Sequence, residues 1–366
     1  MQNNQHKAAS AALCDSLLKK NIGCLKPGVF LSALASFFLL PINAQAACTE
    51  IAAGQTVPDT IKRGDCYELL GANKFSKITE VYGKLFIKTG SRVDFTGDKT
   101  IRVQKGGHLG VRGVMSLKDG ASVLVTGYGQ LENSNELLFE EHSVLHLERS
   151  ASFENKGSLR FFPSSRFNLD RDSAFTTAGS FTLDNAGMEA ASVTLKNLGT
   201  FSLVNGSIFN LSGNSSFMNK GLLTQEKNCT FSVNDTSRLT NMRNVELSGE
   251  TVFDNTASII NRLIFSIGEQ GRLTMKDGST ISNMHIVKLS GTLTLDDHSE
   301  YTNARNLQIY KNATMNIKSG AMLINDGTVY DRGKVNLEHR DGIKNRNIFY
   351  VNGEKVVFDL EEKLRN

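Results

Sequence analysis

Two short acidic sets are the first places where residue types in this 366-residue chain suggest chemistry. Asp170 and Asp172 flank Arg171, and Asp296 and Asp297 stand beside His298. Paired carboxylates supply the acid and base of polysaccharide cleavage, or the oxygen ligands of a calcium ion. Neither set is matched by a second acidic set in the neighbouring stretch of sequence, and an acid-rich turn between strands is ordinarily just solvated. Another motif is Arg63, Gly64 and Asp65, followed directly by Cys66. On a loop of a secreted protein this tripeptide can bind an integrin, offering the Asp carboxylate to its metal ion and the Arg to an acidic pocket. A Gly-Asp turn ahead of a strand accounts for the same residues without a partner. His108, His142, His146, His285, His298 and His339 are scattered without the spacing of a metal-ligand set, so neither metal nor cofactor is expected.

The compartment follows from the N-terminus. Lys7, Lys19, Lys20 and Lys26 face one acid, Asp15, and an uncharged apolar run then fills residues 28–40. That run of 13 residues is shorter than the roughly 20 needed to cross a bilayer as a helix. Pro41 ends it ahead of the small-residue segment Ala44, Gln45 and Ala46. The pattern predicts a signal peptide over residues 1–46 and a secreted or surface-exposed mature chain with no membrane-spanning segment. The signal carries four of the 41 basic residues and one of the 37 acidic ones, which leaves 37 against 36. A nearly neutral mature chain gives no reason to expect a nucleic-acid partner. Cys14 and Cys24 leave with the signal; Cys48 and Cys66, 18 residues apart, are the natural disulfide in an oxidising compartment, and Cys229 is left single.

The elements that must position all these residues are visible in an internal repeat. Asn133, Asn155, Thr177, Asn197, Asn219, Asn241, Asn261, Asn283, Asn303, Asn325 and Asn345 follow one another at steps of 20 or 22 residues. Even steps preserve the inward face of a strand, whose side chains alternate with period two. The residue two before each member is apolar or aromatic, from Leu131 and Phe153 to Leu323 and Ile343. The residue four after is equally so, from Leu137 and Leu159 to Val329 and Phe349, and the residue six after fails only at Gln225 and Asp331. Carried upstream, the register puts Val111 and Thr89 on the ladder. Glycine recurs two places after the ladder, at Gly113, Gly157, Gly179, Gly199, Gly221 and Gly327, as a bend with an unusual backbone angle would require. Cys229 falls in a small-residue slot that other repeats fill with Ala121, Ser143, Ser165 or Ala313.

A repeat this short cannot bury a core alone, but it suits one coil of a parallel β-solenoid that leans on its neighbours. The expected fold is all-β: a single-stranded parallel β-helix of about 12–13 coils of 20–22 residues over residues 83–352. Residues 47–82, with the disulfide, are expected as an N-terminal cap, and residues 353–366 as a C-terminal tail or cap. The ladder, Asn133, Asn155, Asn197, Asn219, Asn241, Asn261, Asn283, Asn303 and Asn325, is read as structural, each amide bonding the turn and its counterpart in the next coil.

On coil length, stacked Phe and Leu, and the asparagines at 155, 219 and 241, the chain resembles the right-handed parallel β-helix of the pectate-lyase-like superfamily. Within it, the closest likeness is to autotransporter passenger regions and filamentous adhesins of Gram-negative bacteria. The resemblance implies export through the periplasm and an adhesin or interaction protein that binds host matrix, host protein, glycan or a second copy of itself. It also implies an outer-membrane exporter. Coils here run almost to the terminus without the family's membrane barrel, which leaves three expectations open: a separate exporter, a truncated relative, or release once in the periplasm. The alternative from the same superfamily is a polysaccharide-degrading lyase or hydrolase, but its Asn-Thr-Asp and Arg-Ile-Lys signatures are absent, as is the Gly-Asp-Ser-Gly of protease passengers.

Overall fold

In a computed structural model the described residues are 47–318 and 320–356, so the expected signal peptide over 1–46 lies outside them. The chain winds through three sheets in turn. The first holds 15 strands, and the second and third hold 14 each. Every pairing is parallel except the last, where Ile348–Val351 meets Glu354–Val356 antiparallel. One coil shows the plan: Gln130–Asn133 in the first sheet, Glu136–Phe139 in the second, Val144–Glu148 in the third, then Ser152–Asn155 back in the first, stacked on the strand that opened the coil.

Strict alternation makes each segment a strand and aims it. In Ser152–Asn155, Phe153 and Asn155 are buried while Glu154 is exposed, and the same inward pair recurs in strand after strand. Like residues therefore lie over one another inside a closed tube. Phe139 stacks on Phe161 at 4.4 Å with an interplanar angle of 3°. Phe209 lies on Phe231 at 4.8 Å with the same 3°. Such pairs add roughly 0.5–1.5 kcal/mol each beyond the area they bury.

The asparagine ladder is hydrogen-bonded from coil to coil, with one break after Thr177. Asn219 Nδ2 donates to Asn241 Oδ1 at 3.0 Å and to the Asn244 carbonyl at 2.9 Å, and Asn241 repeats both bonds on Asn261 and Ile264 at 2.8 and 2.9 Å. Both apolar-register misfits face inward. Gln225 is satisfied there, donating to the Cys229 and Glu250 carbonyls and accepting from Thr251 Oγ1. Asp331 accepts the Gly333 N–H, and burial raises its carboxyl above the ordinary range.

Several details differ from expectation. The all-parallel third sheet has 14 strands, so there are about 14 coils in all; 12 of those strands lie within residues 83–352, as the repeat predicts, and two come before them. The coils begin within residues 47–82, where Thr49–Ile51, Thr60–Ile61, Cys66–Leu69 and Ile78–Val81 already join the sheets. Asparagine is missing from the ladder column there, which holds Ile51, Leu69, Ile87 and Val111, so the sequence pattern thins before the fold does. Ile87, not Thr89, occupies that column, because the turn through Gly90 (φ 81°) is two residues longer than in the next coil. The third sheet also contains 21-residue steps, Phe167 to Met188 to Phe209; a shorter turn there keeps both neighbouring columns in register.

Glycine two places after the ladder answers a close approach rather than a special angle. Gly157, Gly179, Gly199 and Gly221 are not among the positive-φ residues, but a Cβ on any of them would sit 1.9–2.1 Å from a carbonyl oxygen of the coil before. In that corner the glycine N–H commonly bonds the preceding coil's ladder carbonyl, as Gly157 and Gly179 do with Asn133 and Asn155 at 3.1 and 3.2 Å. A second kind of corner bonds the same N–H to the ladder asparagine of its own coil, seen at Asn135, Arg243, Leu263 and His285. Those positions carry full side chains outward.

Candidate functional site

Because the tube is packed, chemistry is confined to outer strand faces and corners. Asp170 ends Arg166–Asp170 in the third sheet, and its partners lie one coil earlier on the outward positions of Val144–Glu148. His146 Nε2 is 3.1 Å from Asp170 Oδ2, and the ligand atoms of His146, Glu148 and Asp170 all lie within 4.8 Å of one another. The expectation that Asp170 has no partner in the adjacent coil is thereby corrected, as is the isolation of His146. Spacing along the sequence hides a set assembled across 22- and 24-residue steps. Glu148 Oε1 also accepts from Thr126 Oγ1 at 3.0 Å. Arg149 lies 3.7 Å from Glu148, and Arg171 lies 4.0 Å from both acids. Two guanidiniums thus balance two carboxylates, and the set is a closed charge cluster rather than a cation-hungry one.

The other acids are engaged in turns. Arg171 and Asp172 form a left-handed bend (φ 51° and 64°), with the Asp172 N–H on the Ser192 carbonyl. Asp297 and His298 form another (φ 41° and 62°), while Asp296 accepts the Asp297 N–H and pairs with Lys318 at 2.6 Å. Arg63, Gly64 and Asp65 make a tight turn in which Gly64 takes φ 89° and the Asp65 carboxylate accepts the Lys62 N–H at 3.0 Å. Arg63 is exposed, but the acid that a metal ion would need is bound to its own loop. Cys48 and Cys66 are joined, their Cα atoms 4.6 Å apart. Cys229 is buried in the wall, and burial pushes its thiol up.

A small aromatic surface lies near the end of the second sheet. Gln308, Tyr330 and Tyr350 are successive outward residues in register, and Tyr310 and Arg332 follow their own strands by one place. Tyr330 stacks on Tyr350 at 5.4 Å and 6°. Its other side opens on a cavity of about 320 Å³ lined by Gln308, Ile309, Tyr310, Tyr330 and Arg332, a volume at the small end of ligand sites. Tyr310 hydroxyl donates to Gln308 Oε1 at 3.1 Å, and Arg332 has no ion-pair partner among the described residues. The signal was present in the sequence: tyrosine five places after Asn325 and Asn345, where an outward residue should be polar.

Fold and surface together define an all-β parallel β-solenoid closed near its N-terminus by a disulfide. No family model, curated protein or solved structure matches the chain.

Proposed function

We propose that the chain is an exported interaction protein, an adhesin, that holds a glycan on the outer face of its second sheet. The observation that carries this reading is the slot beside Tyr330. A tyrosine ring offers a flat apolar face to the C–H face of a sugar ring, while the Gln308 amide, the Tyr310 hydroxyl and the Arg332 guanidinium offer hydroxyl and carboxylate partners around it. Catalysis has less support, because Asp296 is ion-paired and the Asp170 cluster is balanced by Arg149 and Arg171. Host protein and a second copy of the chain are the other partners such a long face suits.

A glycan array run beside a reducing-sugar release assay tests the proposal. Binding without turnover, lost in Tyr330→Ala at unchanged melting temperature, is the expected result. Sugar release that disappears in Asp170→Asn would replace the adhesin with an enzyme.

A further inference from the structure

One corner of the solenoid carries a row of cations with no counter-charge. It is the corner that follows the asparagine ladder, and its two outward positions stack from coil to coil through backbone bonds. The Ile264 N–H donates to the Arg243 carbonyl at 3.0 Å, Asn306 to His285 at 2.9 Å, and Thr328 to Arg305 at 2.6 Å. Arg262 stands in the parallel position, its N–H on the Asn241 carbonyl at 2.8 Å, and Lys220 holds the same position two coils before it. All of these side chains are exposed. Among the described residues none of Lys220, Arg243, Arg262 and Arg305 forms an ion pair, and the next acid in either column is Asp326, already bound to Arg346 at 3.2 Å. On the flanking strands Arg238 and Lys288 are offset by Glu246 and Glu300, which leaves the corner itself with the excess.

At the second of the two positions Asn241 and Asn283 bond the N–H groups of Arg243 and His285 through their own Oδ1 atoms, and both residues carry full side chains where Gly157 and Gly221 have none. Coils are about 4.8 Å apart, so Lys220 and Arg305, four coils apart, span about 19 Å along the rod. A line of unpaired charge carried on a regular backbone ladder suits a linear polyanion, and each charge needs no counter-charge to be displaced before binding.

We infer that this corner is a binding site for a linear sulfated polysaccharide lying along the rod axis. Arginine forks suit sulfate oxygens. The corner's apolar members are Met242, Leu263 and Met284, and its one ring is the His285 imidazole, with no run of phenylalanine or tyrosine to stack successive nucleobases, which favours polysaccharide over single-stranded nucleic acid. The site is separate from the tyrosine slot and stands without it.

The test is fluorescence anisotropy of the full chain with a labelled heparin dodecasaccharide at several salt concentrations. Arg243→Ser/Arg262→Ser/Arg305→Ser should weaken binding at least tenfold at 0.15 M salt and make the slope of log K against log salt shallower by about 2 to 3. One control should leave heparin binding unchanged at the wild-type melting temperature: Lys62→Ser/Lys77→Ser/Lys105→Ser, which removes three exposed lysines elsewhere. An equal loss in the lysine triple would show attraction to overall charge and overturn the assignment. So would equal affinity for a single-stranded oligonucleotide of matched charge.

Discussion

Replacing Thr177 by asparagine should stabilise the protein, because that position is the one break in an otherwise unbroken run of ladder amides from Asn133 to Asn345. Asn155 Nδ2 donates to Thr177 Oγ1 at 2.9 Å, but threonine has no second donor to pass on, and Asn197 Oδ1 is left buried without a partner. In the coils that follow, each amide bonds both the next asparagine and the carbonyl three places beyond it. Thr177→Asn would add those two bonds, to Asn197 Oδ1 and to the Thr200 carbonyl. Relieving a buried orphan acceptor contributes about 1–3 kcal/mol. Loss of the β-branched side chain and of amide rotamer freedom opposes it by up to about 1 kcal/mol. A net gain of about 1–2 kcal/mol should raise the melting temperature by a few degrees, by roughly 2–4 °C per kcal/mol in chains of this order of size. Differential scanning calorimetry gives the shift, and hydrogen exchange at residues 175–201 should slow locally. Thr177→Val, which deletes the hydroxyl at constant shape, should cost about 1–3 kcal/mol by stranding a donor of Asn155. A lower melting temperature for Thr177→Asn with an unchanged circular dichroism spectrum would refute the account of the ladder as a relay of buried amides.

Tyr301 is fully buried with its hydroxyl unpartnered among the described residues, and burial raises its pKa. Tyr301→Phe should therefore be stabilising by about 1–3 kcal/mol in urea denaturation. Reducing the Cys48–Cys66 bridge frees an 18-residue loop and should cost about 3 kcal/mol, confined to the first coils and readable as faster hydrogen exchange over residues 49–81. Asp331 has its pKa raised by burial, so its folded carboxyl holds a proton to higher pH than the unfolded one. Its penalty is absent below the unfolded pKa and grows as pH rises through the folded one. Asp331→Asn should stabilise at pH 7, and calorimetry should find the advantage shrinking as the pH falls through the ordinary aspartate range.

The coils were legible because burial here is written in period two and repeated in register. Phe153, Phe175 and Leu195 announce one wall of the tube in sequence, and they are that wall in space. What stayed hidden was whatever depends on turn length. The first coils carry Ile51 and Leu69 where later ones carry asparagine, so no ladder marks them. Glycine at residue 157 looked like a torsional requirement, yet the constraint is a carbonyl of the coil before, which only three dimensions reveal. Nothing in the sequence joins His146 to Asp170, since a contact diagonal across coils has no signature along the chain. The cations at 243, 262 and 305 escaped for the opposite reason: a balanced total charge conceals an unbalanced edge.

The backbone bonds that join coil to coil also set how the rod answers to force. They run along its length and join each coil only to its neighbours, so tension applied at the chain ends can release the coils one after another from an end. Each released coil of 20–22 residues lengthens the chain by about 70 Å. A solenoid of this kind is thus suited to yield in steps of one coil. At the N-terminal end the Cys48–Cys66 bond closes the first loop covalently, so pulling there bypasses that loop and stops at the bond before unwinding begins.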